Sequence, residues 1–319
     1  MQVLVTGAAG FIGSHVAEAL LQRGDSLRIV DNFNSFYDPA LKRRNIEEVR
    51  QSGNFELIEG DLLDESVRQR ALQGCDAVIH LAAWAGVRPS IEMPVRYVEQ
   101  NLLLPALLVQ SMRAAEVKKL VWASSSSVYG ENANPPFGED ADVLAPVSPY
   151  AATKVGGEAL AAAFAHLYDL DITSLRFFTV YGPRQRPEMA IHKFARLMLQ
   201  GQTIPRFGDG STSRDYTYID DIVAGVVGAL DHLDGYQVYN LGESDRISLN
   251  ELIALIGEAL GVAPQIESLP LQPGDVSHTN ADISKAKAAI GYDPQTPITE
   301  GIRRFAAWFQ ARPYLWREE

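Results

Sequence analysis

Cysteine is almost missing: Cys75 is the only one in 319 residues. A single thiol excludes an internal disulfide and a cysteine-built metal cluster, and it suits a reducing compartment. Positive charge is scarce too. Lys and Arg number 28 against 40 Asp and Glu, a formal net charge of −12. Nucleic acid and anionic membrane both attract basic surfaces, so neither is an expected partner. An anionic ligand then needs a local arginine site or a helix N-terminus. No apolar run approaches the roughly eighteen residues of a membrane span. The first thirteen residues are apolar and rich in glycine but lack a positive leader, so they read as strand and turn, not as a secretory signal. Repeats and low-complexity tracts are lacking, and no His, Asp or Glu spacing points to a metal. The expectation is a soluble, cytoplasmic, globular chain.

What is present is a large apolar fraction, 46%, with 25 glycines and 17 prolines, in a chain longer than one simple core needs. Short β-branched runs at 3–6, 27–31, 55–59, 77–81, 120–124 and 172–177 read as strands. Helical patterns at 13–23, 65–72, 95–115 and 149–167 alternate with them. Strands this uniformly apolar need cover on both faces, which right-handed crossovers supply. Beyond residue 178 glycine and proline become frequent, helices at 191–199 and 249–260 are short, and a strand at 237–241 returns to the first sheet. The expected fold class is α/β: a Rossmann-type doubly wound parallel sheet with a smaller α/β C-terminal substrate domain. The first unit takes 1–178 with about 212–244 returning to it, and the second takes 179–211 and 245–319. Ligands in such sheets bind beyond the carboxyl ends of the strands.

The segment Thr6-Gly7-Ala8-Ala9-Gly10-Phe11-Ile12-Gly13 follows the first strand and opens the first helix. Glycine is needed where backbone turns tightly, approaches a pyrophosphate, or packs helix on strand, and the helix N-terminus offers free N–H groups to phosphate. Asp31 ends the second strand, eighteen residues past Gly13. A carboxylate there accepts from ribose hydroxyls and repels a 2′-phosphate, which favours NAD over NADP.

Tyr150 and Lys154 lie four residues apart and share a helix face. A free tyrosine, with a pKa of about 10, needs about 4 kcal/mol of differential stabilisation to act as a base near pH 7. One positive charge about 4 Å away supplies that order of energy at an effective dielectric of about 20. Lys154 and an oxidised nicotinamide are two such charges. The run Ser124-Ser125-Ser126-Ser127-Val128-Tyr129-Gly130 ends the fifth strand, where a hydroxyl can bond the reacting oxygen and relay its proton. A polar strand end with capping roles is the other reading of those serines.

Taken together, Gly7, Gly10, Gly13, Ser125, Tyr150 and Lys154 resemble the extended short-chain dehydrogenase/reductase family, in particular its nucleotide-sugar epimerases and dehydratases. The resemblance spans nearly the whole chain, and includes Asp61-Leu62, His80-Leu81-Ala82-Ala83, Arg176-Phe177-Phe178-Thr179-Val180-Tyr181-Gly182-Pro183 and Arg214-Asp215-Tyr216-Thr217-Tyr218-Ile219-Asp220-Asp221. It implies a NAD site of Gly7, Gly10, Phe11, Ile12, Gly13, Asp31, Asn32, Asp61, Leu62, Leu81, Ala82, Ala83, Asn101, Ser124, Tyr150 and Lys154. It implies that Thr179, Lys193 and Arg214 line a UDP diphosphate and that Asp275 holds a ribose. Arg214 could instead form a surface ion pair with Asp215 or Asp220. The implied reaction starts with Tyr150 removing the sugar 4-hydroxyl proton as hydride leaves C4. The 4-keto sugar then rotates, and hydride returns to its other face.

Three outcomes diverge from that ketone. The 4,6-dehydratases carry an Asp-Glu pair before Val-Tyr-Gly, and decarboxylases of UDP-glucuronate a Glu; here Ser126 and Ser127 stand instead, which leaves epimerisation. The run from Phe178 to Met189, Asn32-Phe33-Asn34 with Tyr37-Asp38, and Gly86-Val87-Arg88-Pro89-Ser90 are most similar to the UDP-glucuronate 4-epimerases. In that subgroup residues at the Arg186, Ser126 and Ser127 positions grip the C5 carboxylate, and Arg88 joins the substrate contacts. The grip has a purpose, since a 4-keto-5-carboxylate loses CO₂ when its C–C bond aligns with the carbonyl π-system. Arg186 could equally be a loop arginine paired with Glu188. A UDP-glucose 4-epimerase and a non-catalytic dinucleotide-binding scaffold remain as alternatives. The family implies a homodimer through helices near 95–115 and 149–167.

Overall fold

A computed structural model describes residues 1–131, 135–270 and 278–317. Its centre is a seven-stranded sheet: β1 (Gln2–Thr6), β2 (Ser26–Asp31), β3 (Phe55–Glu59), β4 (Ala77–His80), β5 (Lys119–Ser125), β6 (Asp171–Phe177) and Tyr236–Leu241. Shorter strands stand between the last two: β7 (Thr179–Tyr181), β8 (Ile204–Phe207), β9 (Ser213–Arg214) and β10 (Tyr216–Tyr218), which makes Tyr236–Leu241 β11. The order is β11-β6-β5-β4-β1-β2-β3, and every pairing is parallel. Chain order reverses between β1 and β4, so a crevice opens at their carboxyl ends.

Side-chain alternation sorts the core into two layers. Val3 and Val5 of β1 join one cluster and Leu4 joins the other. The first face carries α1 (Phe11–Arg23) and α2 (Pro39–Arg50). The second carries α3 (Glu65–Leu72), and beyond α4 (Val87–Glu92) and α5 (Pro94–Val98) it carries α6 (Leu104–Ala114) and α7 (Pro149–Tyr168). In the later part α8 (Ala190–Leu199), α9 (Ile219–Asp231), α10 (Leu249–Leu260), α11 (Ser284–Ile290) and α12 (Ile298–Gln310) extend the first face.

The helix expected over 95–115 is broken. Pro105 has no N–H to donate to Asn101, and the chain relaxes into a π-turn over Glu99–Leu103, with Leu104 N–H bonded to Glu99 O. α9 carries no legible signal because Gly225 and Gly228 interrupt it. A Cβ at Gly225 would lie 2.7 Å from Leu241 Cδ1, so glycine there lets the helix lie on the sheet. Among the described residues no helix is long and apolar enough to cross a membrane, and no group of three His, Cys, Asp or Glu could hold a metal.

Candidate active site

The glycine turn is built for close approach. Gly7 has φ +71°, and a Cβ there would lie 2.8 Å from Ala82 Cα. A Cβ at Gly13 would lie 2.3 Å from Gly7 O, so α1 starts tight against the turn. Gly10 caps α1 without a side-chain acceptor, which leaves the first N–H groups of the helix for an anion. At the end of β2 the Asp31 carboxylate is aimed by Ala9 N (3.1 Å) and Phe33 N (2.8 Å). Burial pushes its pKa up, and Lys42 of α2 opposes this.

A cleft of about 260 Å³ runs along the carboxyl ends of the strands. Its lining gathers Gly7, Gly10, Phe11, Ile12, Gly13, Asp31, Asn32, Asp61, Leu62, Leu81, Ala82 and Ala83 with Ser124, Ser125, Tyr150, Lys154 and Arg186. Polar atoms on its wall that are buried without a hydrogen-bond partner include Tyr37 Oη, Trp84 Nε1 and Gln100 Nε2. A cradle that any Cβ would fill, a carboxylate at the ribose position and unpartnered donors together fit NAD.

Sequence reasoning did not place Asn34, Phe36, Tyr37, Lys42 and Gln100 in this lining. The first four come from the 32–38 loop and α2. Their signal was Asp38-Pro39, an N-cap followed by a proline at N1; Asp38 accepts from Ala40 N at 2.8 Å. Lys42 Nζ then donates to Asn34 O and Oδ1, both at 3.0 Å, and ties the loop down.

Tyr150 stands in the first turn of α7, which Ser148 caps. The Ser125 hydroxyl stands beside it and favours the phenolate. Lys154 Nζ lies 5.7 Å from the Tyr150 ring centroid and donates to Ala123 O at 2.8 Å. In the protein alone Tyr150 does not titrate downward as the sequence argument expects. Burial pushes the phenol up, against the Ser125 hydrogen bond and the Arg186 charge. Burial also pulls Lys154 down to about 8, with Glu158 opposing. Desolvation outweighs what the chain's own residues supply in favour of the phenolate.

Below the pair lies a buried network. Ser124 Oγ donates to Glu158, which takes a two-pronged ion pair from Arg176 (3.0 and 2.8 Å). Arg176 also donates to Tyr129 Oη (2.9 Å), which donates to Asn240 Oδ1 (2.7 Å). The Ser124 hydroxyl is thus committed to the scaffold.

A chain of aromatic rings links Arg186 to Tyr150. Arg186 sits 5.6 Å over Phe36, whose ring meets Trp84 at 5.4 Å. Trp84 meets Tyr97 at 6.0 Å, and Tyr97 meets Tyr150 at 6.1 Å. Arg186 also pairs with Glu188 at 2.9 Å.

Other sequence-assigned residues lie off this lining. Asn101 spends its amide on Trp84 N (2.9 Å), Trp84 O (2.9 Å) and Thr153 Oγ1 (3.1 Å), so it braces the loop and does not face the cleft. Ser126 and Ser127 form a 3₁₀ turn capped by Ser125, and Ser127 Oγ is buried without a partner. Thr179 is bonded through its N–H to Asp215 O (3.1 Å), next to Arg214. The Asp215 carboxylate is taken by Thr217 and the N–H groups of Glu243, Ser244 and Ala281. Asp220 pairs with Arg304. Lys193 stands half-buried on α8, and Arg88 lies 5.2 Å over Phe207. Asp275 lies outside the described residues.

Fold and site define a dinucleotide-binding α/β protein with a Ser–Tyr–Lys set beside its cradle. The sequence profile of the NAD dependent epimerase/dehydratase family matches residues 3–242, and the chain belongs to that family. It is 44% identical over 308 residues to the UDP-glucuronate 4-epimerase of Thermodesulfobacterium geofontis, covering 96% of this chain and 95% of the relative. The crystal structure of UDP-glucuronic acid 4-epimerase from Bacillus cereus with UDP-glucuronic acid and NAD has a TM-score of 0.92 and 36% identity, covering 98% of this chain and 99% of that one. UDP-glucose 4-epimerase from Thermotoga maritima, solved with UDP-glucose, has a TM-score of 0.89 and 33% identity, covering 98% and 99%.

Proposed function

We propose that the protein is a NAD-dependent epimerase that inverts C4 of UDP-glucuronate to give UDP-galacturonate. The observation that carries this reading is the presence of Tyr150 and Arg186 on one cleft, near enough that the Arg186 charge acts on the phenol. A base for a sugar hydroxyl and a cation for a carboxylate are what a uronate needs. NAD, held by the Gly7–Gly13 turn and Asp31, supplies a hydride acceptor and donor at C4. Tyr150 holds and returns the 4-hydroxyl proton, and Ser125 bonds the same oxygen. Lys154 places positive charge under the phenol. Ser126, Ser127 and Arg186 fix the carboxylate off the alignment that would release CO₂, and Thr179, Lys193, Arg214, Arg88 and Asp275 serve the UDP end.

The reading extends to a homodimer in the cytoplasm. Val95 (81% exposed), Ile91 (55%) and Leu103 (50%) cluster along the α4–α6 stretch, an apolar strip suited to a second copy. Cys75 is a buried free thiol, in keeping with a reducing compartment.

A UDP-glucose 4-epimerase would use the same Tyr150 and Lys154 but give Arg186 no partner in the substrate. One assay with both sugars separates the two. UDP-glucuronate should convert to UDP-galacturonate without added reductant and faster than UDP-glucose converts. Arg186→Ala should cut turnover of the acid roughly tenfold or more, since a charged hydrogen bond is worth about 1.5–3 kcal/mol. Faster turnover of UDP-glucose overturns the choice of sugar.

A further inference from the structure

The loop that carries Arg186 is fastened twice. On one side Gln185 Nε2 donates to Val180 O (3.1 Å), and Gln185 Oε1 accepts from His192 N (3.1 Å). On the other, Arg184 points back to the helices beside the dinucleotide cradle. Its Nη2 reaches Glu18 of α1, and its Nε lies 3.6 Å from Glu48 of α2. Nη2 also lies 3.3 Å from His15 Nδ1, and His15 Nε2 lies 2.9 Å from Pro183 O. Burial and the Arg184 charge pull His15 down to about 3, so the ring is neutral, donating to Pro183 O and accepting from Arg184. The Arg184 side chain is only 7% exposed, and its backbone has φ +64°, a conformation a side-chain-bearing residue keeps only when its surroundings impose it.

We propose that Arg184, anchored by Glu18, Glu48 and His15, is a positioning residue that sets Arg186 against the substrate's carboxylate, so that preference for an acidic sugar is built from the cofactor-side helices. The guanidinium fork suits this task because it spans two helices at once. The proposal rests on the uronate reading above. A loosened loop lets the carboxylate swing. In the 4-keto sugar the C5–C6 bond then breaks. Carbon dioxide leaves, and the electron pair of the broken bond forms a C4–C5 enolate that takes a proton at C5, giving a UDP-4-ketopentose, which the hydride taken from C4 reduces on its return to a UDP-pentose in place of epimer.

The test uses the NAD-loaded enzyme, wild type against Arg184→Met and Arg184→Lys. KM and kcat are measured for UDP-glucuronate and for UDP-glucose. UDP-pentose per epimer is read by mass spectrometry, and bound NAD by absorbance. Arg184→Met should raise KM for the acid at least fivefold and the pentose fraction several-fold. Neutral-sugar kinetics and bound NAD should stay within twofold, and Arg184→Lys should fall between. If Arg184→Met does not fold, Glu18→Gln combined with Glu48→Gln carries the same expectation. Equal losses on both sugars, or no change in KM and pentose fraction, overturn the proposal while the uronate reading stands. A wild type inert on UDP-glucuronate overturns that reading, and the proposal with it.

Discussion

Two polar regions, one around Glu158 of α7 and one on the cleft wall, differ in how their hydrogen bonds are spent. In the Ser124–Glu158–Arg176–Tyr129–Asn240 network each named side chain meets a partner inside the protein. On the cleft wall Tyr37 Oη, Trp84 Nε1 and Gln100 Nε2 are buried and unmet. A buried donor without a partner costs about 1–3 kcal/mol. The first region therefore holds a scaffold in place, and the second holds capacity in reserve for a ligand. Tyr150 and Glu158 mark the two regimes on one helix, eight residues apart.

Substitutions at those two positions should part activity from stability. Tyr150→Phe carries the largest expected effect, a 10²- to 10⁴-fold loss of epimerisation. Its unfolding free energy should stay within about 0.5 kcal/mol of wild type in urea titrations. Glu158→Ala should do the reverse on stability. It strands the Arg176 guanidinium, only 4% exposed, and should cost about 3–5 kcal/mol, read as a lower urea midpoint. Equal stability losses in the two variants would erase the distinction between the regions.

A smaller, pH-dependent effect lies outside both regions, at Glu243. Glu243 has an unpartnered Oε2 beside Asp215 and Asp221. Burial, then the charges of Asp221, Asp215 and Asp245, push its pKa from 4.5 up to about 8. A carboxyl raised in the folded state contributes stability that is fully present below its unfolded value and is lost as pH rises through the folded one. Glu243→Gln should therefore raise Tm by about 1–3 °C at pH 9 and change it little at pH 5, by scanning calorimetry.

The sheet was legible because its central strands are buried on both faces and read as apolar runs; 77–81 covers β4, Ala77–His80, in which every residue is buried. The candidate site was legible because Gly7, Gly13, Tyr150 and Lys154, which line one cleft, stand at spacings that backbone geometry and chemistry demand. Packing hid the rest. The α9 pattern is cut by glycines whose reason, contact with Leu241 and Ile290, exists only in three dimensions. The family resemblance puts Asn101 in the cofactor set, yet its amide braces Trp84. The contact of His15 with Arg184 has no spacing signal either, since the two lie 169 positions apart.

The central claim is that a hydrogen leaves C4 of a UDP-hexuronate and comes back to the opposite face without exchange. UDP-glucuronate deuterated at C4, incubated with the purified protein and NAD in ordinary water, tests it directly. The account predicts UDP-galacturonate that keeps the deuterium at C4, with no lasting build-up of reduced cofactor. Product with protium at C4, or no conversion at all, would contradict it.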